Sequence, residues 1–425
     1  MIENSRIPKF YSFDVAKRRS IIKELVGLTE EEIKVITSEN IPDETMDILS
    51  ENVIGQAKLP FSVATNFKIN GKDYLVPMVI EESSVVAAAS YAAKIARKKG
   101  GFRAEYTGSI GIGQIQILNV KDFENAKKEI IEHKNEILKI ANDTNKILLK
   151  LGGGAKDIEL RKIRGNYQDY LVLHLIVDTV DAMGANAINT MLETIAPKVE
   201  ELTKGNVLLR ILSNYSIFRM VKVKAVFDKE ALGGEKVVDN IIYAYDFAHN
   251  DTFRAVTHNK GIMNGIIAVL LATGNDTRAV EAAAHAYAAR DGTYRSLTKY
   301  EKDENADLVG YLELPLTVGI IGGAINVNPI YKIALKILGV KSAAEFAQVV
   351  GAVGLAQNLA ALRALATEGI QKGHMKLHAE NIAIMVGAKG DEIKKVAERL
   401  VQSGKVTYDA ATKILSELRS TNNTI

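Results

Sequence analysis

Two adjacent carboxylates stand where an apolar stretch gives way to an alanine-rich one, in the segment VPMVIEESSVVAAAS. Glu81 and Glu82 must point in different directions, so one can face water while the other lies near the apolar helix that follows. Burial there would raise its pKa and let it carry a proton at neutral pH. The alternative is that both acids only complement the dipole of the helix start.

A lysine and an aspartate flank a long apolar stretch in the segment THNKGIMNGIIAVLLATGND. Lys260 precedes this stretch, and a lysine so placed can polarise a carbonyl and stabilise a developing oxyanion. Asp276 would hold and tune the lysine if the chain returns to the same place. The alternative is that Asp276 caps the next helix and Lys260 extends its ammonium group into water. The segment by itself leaves both interpretations open.

Two histidines, His374 and His378, are spaced four residues apart and would share one face of a helix. That spacing can chelate zinc, but the residues between them are Met, Lys and Leu rather than the glutamate of a zinc hydrolase, and no third ligand is evident. We therefore expect no metal and favour one histidine as a mobile general acid.

A glycine follows an apolar strand and opens a helix in the segment DTVDAMGANAINTM. Bare backbone amides at a helix start suit a pyrophosphate. The segment lacks the Gly-x-Gly-x-x-Gly spacing of a Rossmann turn, so a dinucleotide would have to bind in a different framework. The second glycine cluster, LGGGAKD at 151–157, is more typical of a helix stop and turn.

The composition is that of an ordinary globular protein, with 425 residues, 47% hydrophobic residues and a formal net charge of only +3. Neither nucleic acid nor a membrane surface is an expected partner. The chain has no cysteine, which excludes disulfides and thiolate chemistry, so redox chemistry would need a bound cofactor. No signal peptide is evident, and no stretch approaches the roughly 18 to 20 uninterrupted apolar residues of a membrane span. We expect a cytoplasmic protein.

The hydrophobic pattern predicts two short amphipathic helices before Pro42, a hairpin with Asn70-Gly71 at its turn, and an Ala-rich helix that ends near Gly100-Gly101. From about residue 108 to 216 the order is strand, long helix (about 123 to 150), strand, strand, helix, strand. This is the split arrangement of ferredoxin-like domains.

The flanks of that segment are rich in alanine and glycine and predict a larger domain dominated by helices. The predicted fold class is therefore α+β. We divide the chain into a large domain formed by residues 1–107 and 217–373, an inserted domain at 108–216, and a small helical C-terminal flap at 374–425.

Seven segments together resemble the soluble class II 3-hydroxy-3-methylglutaryl-CoA (HMG-CoA) reductases over nearly the whole chain. They are, in chain order, ENVIG at 51–55, VPMVIEESS, DAMGAN, THNKGIMNG, ATGND, GGA at 322–324 and GHMKLHA. The resemblance implies the four-electron reduction of HMG-CoA to mevalonate and CoA with two NADH or NADPH, a step of isoprenoid biosynthesis. It also implies that the inserted domain binds the dinucleotide and that the flap closes over the active site.

The resemblance carries the family's catalytic residues onto Glu82, Lys260, Asp276 and His374. Lys260 would stabilise the oxyanion, Asp276 would hold Lys260 and Glu82 in register, and His374 would protonate the departing CoA thiolate. The residues implied to hold the HMG portion are Ser84, Arg254, Asn264, Gln357 and Asn358. The residues implied to bind the dinucleotide are Asn145, Asp181, Met183, Gly184 and Asn186.

The choice of dinucleotide depends on Asn145, which aligns with an acidic residue of some NADH-using relatives. Asparagine does not repel a 2′-phosphate, but Asp143 lies two residues earlier and can substitute, so the sequence favours NADH only slightly over NADPH. Tyr11 stands where some members have an arginine that contacts CoA.

The resemblance further implies a homodimer or a trimer of dimers with active sites at the subunit interface, where ENVIG belongs.

Three alternatives to this function remain. The same enzyme can work oxidatively in mevalonate degradation. A catalytically silent CoA-binding protein should have lost Lys260, Asp276 and His374, all of which are present. A zinc hydrolase would hold stoichiometric metal at His374 and His378.

Overall fold

The computed structural model describes residues 2–38, 41–367 and 369–422, without the side chains of residues 370–377 and 421–422. The α-helices in the described part are α1 (Val15–Val26), α2 (Glu30–Thr37), α3 (Asp43–Leu49), α4 (Val85–Arg97), α5 (Phe123–Glu132), α6 (Lys134–Asp143), α7 (Lys146–Lys150), α8 (Ala185–Thr203), α9 (Lys229–Leu232), α10 (Glu235–Asn250), α11 (Thr252–Ala272), α12 (Thr277–Ala288), α13 (Gly323–Val327), α14 (Pro329–Leu338), α15 (Ala343–Ala366), α16 (Ile370–Met385), α17 (Asp391–Ser403) and α18 (Tyr408–Asn422). The strands are β1 (Phe61–Ile69), β2 (Lys72–Val79), β3 (Phe102–Tyr106), β4 (Ile110–Leu118), β5 (Gly154–Ile163), β6 (Tyr170–Asp178), β7 (Asn206–Ser213), β8 (Met220–Phe227), β9 (Thr298–Lys302) and β10 (Leu308–Pro315).

A six-stranded sheet, in the order β2-β1-β3-β8-β10-β9, forms the base of the larger core. The hairpin between β1 and β2 is confirmed, with Ile69 opposite Lys72 and a loop of two residues between them. Asn70 and Gly71 have φ angles of 50° and 83°, as the tight hairpin turn requires. Since β2 leads directly towards α4, this hairpin sets where the segment with Glu82 begins.

Helices α4, α11 and α15 pack with that sheet in one hydrophobic core. Glycines allow the close approach of α15: a Cβ at Gly351 would lie 2.9 Å from Val221 Cγ2, and one at Gly354 would lie 2.9 Å from Ile266 Cδ1. Helix α15 is long and apolar enough to cross a membrane, yet 67% of its most apolar window is buried inside the protein. It serves here as a core helix.

A second, four-stranded sheet has the order β5-β6-β4-β7, and its core is separate from the first. Helix α8 lies directly on this sheet because Gly111 and Gly113 leave room for Ile188 and Leu192. The element order is the predicted one, with one correction. The long helix expected over about 123 to 150 is three helices, α5 to α7.

Hydrophobic periodicity does not record the contacts that accompany these breaks. Helix α5 ends at Glu132, and His133 turns the chain into α6. Near the end of α6 the Asn142 amide accepts from Ala155 N at 2.7 Å and donates to Ala155 O at 3.0 Å, which fastens the helix to β5. Asn145 then starts α7 as its N-cap, with Oδ1 accepting from Leu148 N.

The mixture of helices with two mainly antiparallel sheets confirms the α+β class. Helices α16 to α18 form a small cluster of their own, and α1, α2 and α14 pack together beside β2. The division into domains stays a prediction. The boundary expected at residue 373 falls inside α16, which begins at Ile370.

Candidate active site

Three of the polar residues that the sequence singled out meet at one point. Lys260 Nζ lies 3.1 Å from Glu82 Oε2, and Asn264 Nδ2 lies 3.4 Å from the same oxygen. Lys260 and Asn264 project from one face of α11 because they are four residues apart. Glu82 comes from the loop between β2 and α4. Residues separated by about 180 positions in sequence therefore form one proton-bearing cluster.

The cluster is open to ligands. In the single chain, 59% of the Lys260 side chain and 42% of the Glu82 side chain are exposed. Ser84 lies two residues after Glu82 at the N-cap position of α4, where its side chain makes no capping hydrogen bond. It has a φ of 77°, an uncommon conformation for a residue other than glycine. Backbone strain of this kind persists where the surroundings hold it, often at functional sites.

The buried side of α11 fixes the orientation of this helix. His258 Nε2 lies 2.6 Å from Thr298 Oγ1, and burial lowers the pKa of His258 to about 3, so the ring is neutral. Asn259 donates to Arg295 O at 2.8 Å and accepts from Leu297 N at 3.0 Å. The polar segment THNK thus consists of two buried anchors, His258 and Asn259, and two exposed residues, Thr257 and Lys260.

Arg254 lies one turn before His258 on α11 and is partly buried. Burial lowers the pKa of its guanidinium, and within the described part of the chain no carboxylate forms an ion pair with it. A partly desolvated guanidinium in that state suits the bidentate capture of a carboxylate.

Gln357 and Asn358 lie on α15 beneath α11, and both are buried. A Cβ at Gly265 would lie 3.0 Å from Gln357 Cβ, so the two helices touch there. The Gln357 amide oxygen is buried and has no hydrogen-bond partner among the described residues. Asn358 Oδ1 accepts from the Thr298 and Tyr300 hydroxyls at 3.0 and 2.9 Å. Its oxygen is therefore engaged within the core.

Asp276 is the N-cap of α12, where Oδ1 accepts from Ala279 N at 3.0 Å. The same oxygen lies 3.5 Å from Arg278. These are the contacts expected from the capping interpretation of the sequence. The loop that carries Asp276 is fixed by Asn275, whose Oδ1 accepts from Gly319 N at 2.9 Å.

The predicted dinucleotide turn connects β6 to α8. Gly184 is the N-cap of α8 with a φ of 94°, and a Cβ there would lie 2.2 Å from Thr179 Cγ2, so only glycine fits. No described side chain caps the first amides of α8, which leaves them available to an anion. Asn186 is exposed in the first turn of that helix.

Asp181 ties the turn to the larger core. Its Oδ1 accepts from Ala343 N at the start of α15 at 2.7 Å, and its backbone oxygen accepts from Ile320 N at 3.0 Å. Asn145 lies in the same region, because Gly154, which follows α7, pairs with Asp178 at the end of β6. The structure therefore brings Asn145 and the turn to one end of the smaller sheet.

The proposed general acid, His374, lies in α16, and its side chain is outside the described residues. His378 is exposed on the same helix. Among the residues described with side chains, no group of three or more His, Asp or Glu side chains is arranged to hold a metal ion.

Comparison with known proteins decides the family. The model of the hydroxymethylglutaryl-coenzyme A reductase family matches residues 14–379. The chain belongs to this family. It is 55% identical over 417 residues to the 3-hydroxy-3-methylglutaryl-coenzyme A reductase of Archaeoglobus fulgidus, covering 98% of this chain and 95% of that protein.

Solved structures agree with the sequence comparison. The HMG-CoA reductase of Streptococcus pneumoniae superposes with a TM-score of 0.83 and 41% identity, covering 97% of this chain and 99% of that one. A second structure of the class II enzyme from S. pneumoniae, bound to NADPH in open conformations, has a TM-score of 0.81 and 42% identity, covering 96% of this chain and 100% of that one. The resemblance to class II HMG-CoA reductases is confirmed.

One residue next to the dinucleotide turn was not anticipated. Arg219, in the segment NYSIFRM before β8, is fully buried and contacts residues 109, 179 and 183. In the sequence it is a single arginine at the start of an apolar strand, and nothing in its spacing indicates that the chain closes around it.

Proposed function

We propose that the chain reduces HMG-CoA to mevalonate at the cluster of Glu82, Lys260 and Asn264. The observation that carries this proposal is the contact of Lys260 Nζ with Glu82 Oε2 at 3.1 Å, on a face that a ligand can reach. An ammonium group beside a carboxylate offers both functions that carbonyl reduction needs: a positive charge for the oxygen and a proton to give to it.

A nicotinamide dinucleotide supplies each hydride when bound. Lys260 stabilises the negative charge that develops on the thioester oxygen during the first transfer, which gives the hemithioacetal as its anion. Collapse of this anion breaks the C–S bond and yields mevaldehyde and the CoA thiolate. His374 protonates the CoA thiolate as it leaves. In the second transfer, to mevaldehyde, Glu82 and Lys260 deliver the proton to the alcohol oxygen. The family resemblance also assigns Asp276 to this network, to hold Lys260 and Glu82 in register; in the single chain its carboxylate caps α12 and contacts neither of them.

The HMG portion lies between α11 and the loop after β2. Arg254 binds its free carboxylate, since this guanidinium is partly buried and unpaired among the described residues. Ser84 and Asn264 contact its polar groups from either side of Glu82. Gln357 and Asn358 support the site from below. With its oxygen held by Thr298 and Tyr300, Asn358 has its amide NH₂ left for the substrate.

The dinucleotide binds at the end of the inserted domain, residues 108–216. Its pyrophosphate meets the uncapped amides at the start of α8, near Met183, Gly184 and Asn186. Asp181 holds this turn against α15. The helical flap, residues 374–425, closes over the bound ligands and retains the aldehyde while the oxidised dinucleotide leaves.

Either NADH or NADPH is the reductant, and a slight preference for NADH stays a prediction. The S. pneumoniae relative has been seen with NADPH. Asn145→Asp tests the choice, because aspartate preserves the cap of α7 but adds a negative charge near a 2′-phosphate. We expect the KM for NADPH to rise by about 3- to 10-fold relative to that for NADH. An unchanged ratio of the two KM values would mean that the 2′-phosphate of NADPH does not lie near Asn145.

The assembly proposed is a homodimer or a trimer of dimers in the cytoplasm, with the ENVIG segment at the subunit contact. Ile54 in that segment is fully exposed in the single chain, which is unfavourable for an isoleucine unless a partner covers it.

The family name favours the reductive direction over mevalonate degradation.

The test is dinucleotide oxidation with and without HMG-CoA, using NADH and NADPH separately, on the wild type, Lys260→Ala and Lys121→Ala. Lys121 is exposed on the inserted domain and serves as the matched control. We expect HMG-CoA-dependent oxidation by the wild type and the control, and its loss in Lys260→Ala. Folded wild-type protein that oxidises neither dinucleotide with HMG-CoA would refute the proposal.

A further inference from the structure

Arg219 is a fully buried guanidinium that the proposed mechanism does not use. Its Nη2 donates to Ser109 O at 2.7 Å and to Thr179 Oγ1, and its Nη1 donates to Met183 O at 3.1 Å. Its Nε has no hydrogen-bond partner among the described residues. The carboxylate of Asp178, which accepts from Val180 N at 2.9 Å, attracts the guanidinium but forms no direct ion pair with it. Burying a guanidinium without a direct ion pair is costly, so a functional reason for this arrangement is worth seeking.

The segment that Arg219 holds is a strained turn. Val180 has a φ of 52°, which is an outlier for a β-branched residue. Thr179 Oγ1 donates to Ala182 O at 2.8 Å, and the Thr179 side chain fills the space beside Gly184. A strained backbone persists only where its surroundings determine it fully. Arg219 contacts the turn at both ends, Thr179 and Met183, and is therefore placed to hold it.

We propose that Arg219 is a positioning residue for the dinucleotide, which holds the strained turn at 179–184 so that the first amides of α8 face the pyrophosphate. This inference rests on the proposed function, since it assumes that the dinucleotide binds at this turn. The contact that carries it is Arg219 Nη1 to Met183 O, one residue before the N-cap of α8. Because the backbone oxygen of Met183 faces the buried guanidinium, the backbone amides that follow it at the start of α8 face away from the core.

The charge of Arg219 has a second effect. Burial lowers the pKa of its guanidinium, but arginine remains charged in proteins. Asp178 attracts this charge without contacting it, so part of the positive charge adds to the partial positive charge at the start of α8. Both favour a bound anion, so the charge as well as the hydrogen bonds should contribute to dinucleotide affinity.

The experiment compares the wild type, Arg219→Lys and Arg219→Ala, with KM values for both substrates and dinucleotide binding measured by fluorescence titration. Loss of hydrogen bonds from a charged donor should raise the KM and Kd for the dinucleotide by about 10-fold or more in Arg219→Ala. The KM for HMG-CoA should change by less than about 2-fold, because the HMG contacts lie on α11 and α15. Lysine should recover part of the affinity.

Chemical rescue separates the charge from simple packing. Guanidinium at a low, non-denaturing concentration should restore part of the dinucleotide affinity of Arg219→Ala, whereas neutral urea of similar shape should not. A structural role would give equal effects on both substrates and no selective rescue. That result would overturn the inference.

A milder pair of variants keeps the test decisive if Arg219→Ala does not fold. Thr179→Val removes the hydroxyl that accepts from Arg219, and we expect the KM for the dinucleotide to rise by about 3- to 10-fold. Thr203→Val is the matched control, because Thr203 is also buried in this part of the chain but donates locally, to Val199 O at 2.7 Å. Equal KM values in the two variants would overturn the inference.

Failure of the inference can be told apart from failure of the proposed function. If the wild type shows no HMG-CoA-dependent oxidation, the function itself is wrong. If the wild type is active but Gly184→Ala leaves dinucleotide affinity unchanged, the dinucleotide binds elsewhere. If Gly184→Ala weakens binding and the Arg219 and Thr179 variants do not, only the role of Arg219 is wrong.

Discussion

Replacing Lys260 by methionine tests whether this lysine serves catalysis rather than stability. Methionine has a similar length but no charge, so Lys260→Met removes the ammonium group that lies 3.1 Å from Glu82 Oε2. The variant leaves the buried anchors of α11, His258 and Asn259, in place. A catalytic role predicts a large loss in kcat with little loss in stability, whereas a structural role predicts the reverse.

The stability cost should be small. At the observed 3.1 Å separation, Coulomb's law gives about 1.3 kcal/mol in a water-like medium and about 5 kcal/mol at an effective dielectric constant of ~20. Because 59% of the Lys260 side chain and 42% of that of Glu82 are exposed, the water-like value applies. Exposed ion pairs contribute a net ~0 to 1 kcal/mol, so the Tm should move by less than about 4 °C.

The effect on rate should be much larger. Removal of one donor to a developing oxyanion lowers kcat by about 10²- to 10³-fold, or roughly 3 to 4 kcal/mol of transition-state stabilisation. The assay follows the absorbance of the reduced dinucleotide with saturating HMG-CoA, and thermal unfolding is measured on the same samples. Lys121→Met is the control and should match the wild type in both measurements.

Two results would contradict this reasoning. A loss in kcat below about 10-fold in a folded variant would mean that Lys260 does not act on the reacting oxygen. A loss of several kcal/mol in the free energy of unfolding would mean that the ion pair with Glu82 is structural, contrary to its exposure.

Three further predictions follow from the same site. Arg254→Met should raise the KM for HMG-CoA by about 10- to 100-fold and leave the KM for the dinucleotide unchanged, since only the HMG carboxylate loses a charged donor. His374→Gln should lower HMG-CoA reduction by about 100-fold or more but spare mevaldehyde reduction, which releases no thiolate. Burial lowers the pKa of His258 from 6.5 to about 3, so below pH 6.5 the unfolded chain binds a proton that the folded chain does not. Stability should therefore fall with decreasing pH in this window, by up to about 1.4 kcal/mol per pH unit from this group. His258→Gln should flatten that slope in urea unfolding measured at a series of pH values.

Local chemistry made much of the fold predictable from the sequence. The pair Asn70-Gly71 fixed the hairpin because few residues adopt its positive φ angles, and Gly184 marked the start of α8 for the same reason. Alternating apolar residues located the strands of the smaller sheet. The cluster of Glu82 and Lys260 was predictable only from the family resemblance, because spacing and periodicity do not relate residues so far apart in sequence.

Tertiary contacts decided what the sequence left open. The end of α6 is fastened to β5 by the contact of Asn142 with Ala155, which periodicity does not contain. The burial of Asn358 beside the Thr298 hydroxyl likewise depends on a contact between separate elements, α15 and β9. The sequence gives no indication of the role of Arg219, because its contacts form only when the turn at 179–184 and Ser109 close around its side chain.

The most direct test of the central claim is the stoichiometry of the reaction. A limiting amount of HMG-CoA is consumed to completion, and oxidised dinucleotide and released CoA thiol are counted together. The chain has no cysteine, so a thiol reagent reports CoA alone. Two dinucleotides oxidised and one thiol released for each HMG-CoA would establish the four-electron reduction. One dinucleotide for each HMG-CoA, or oxidation without thiol release, would contradict it.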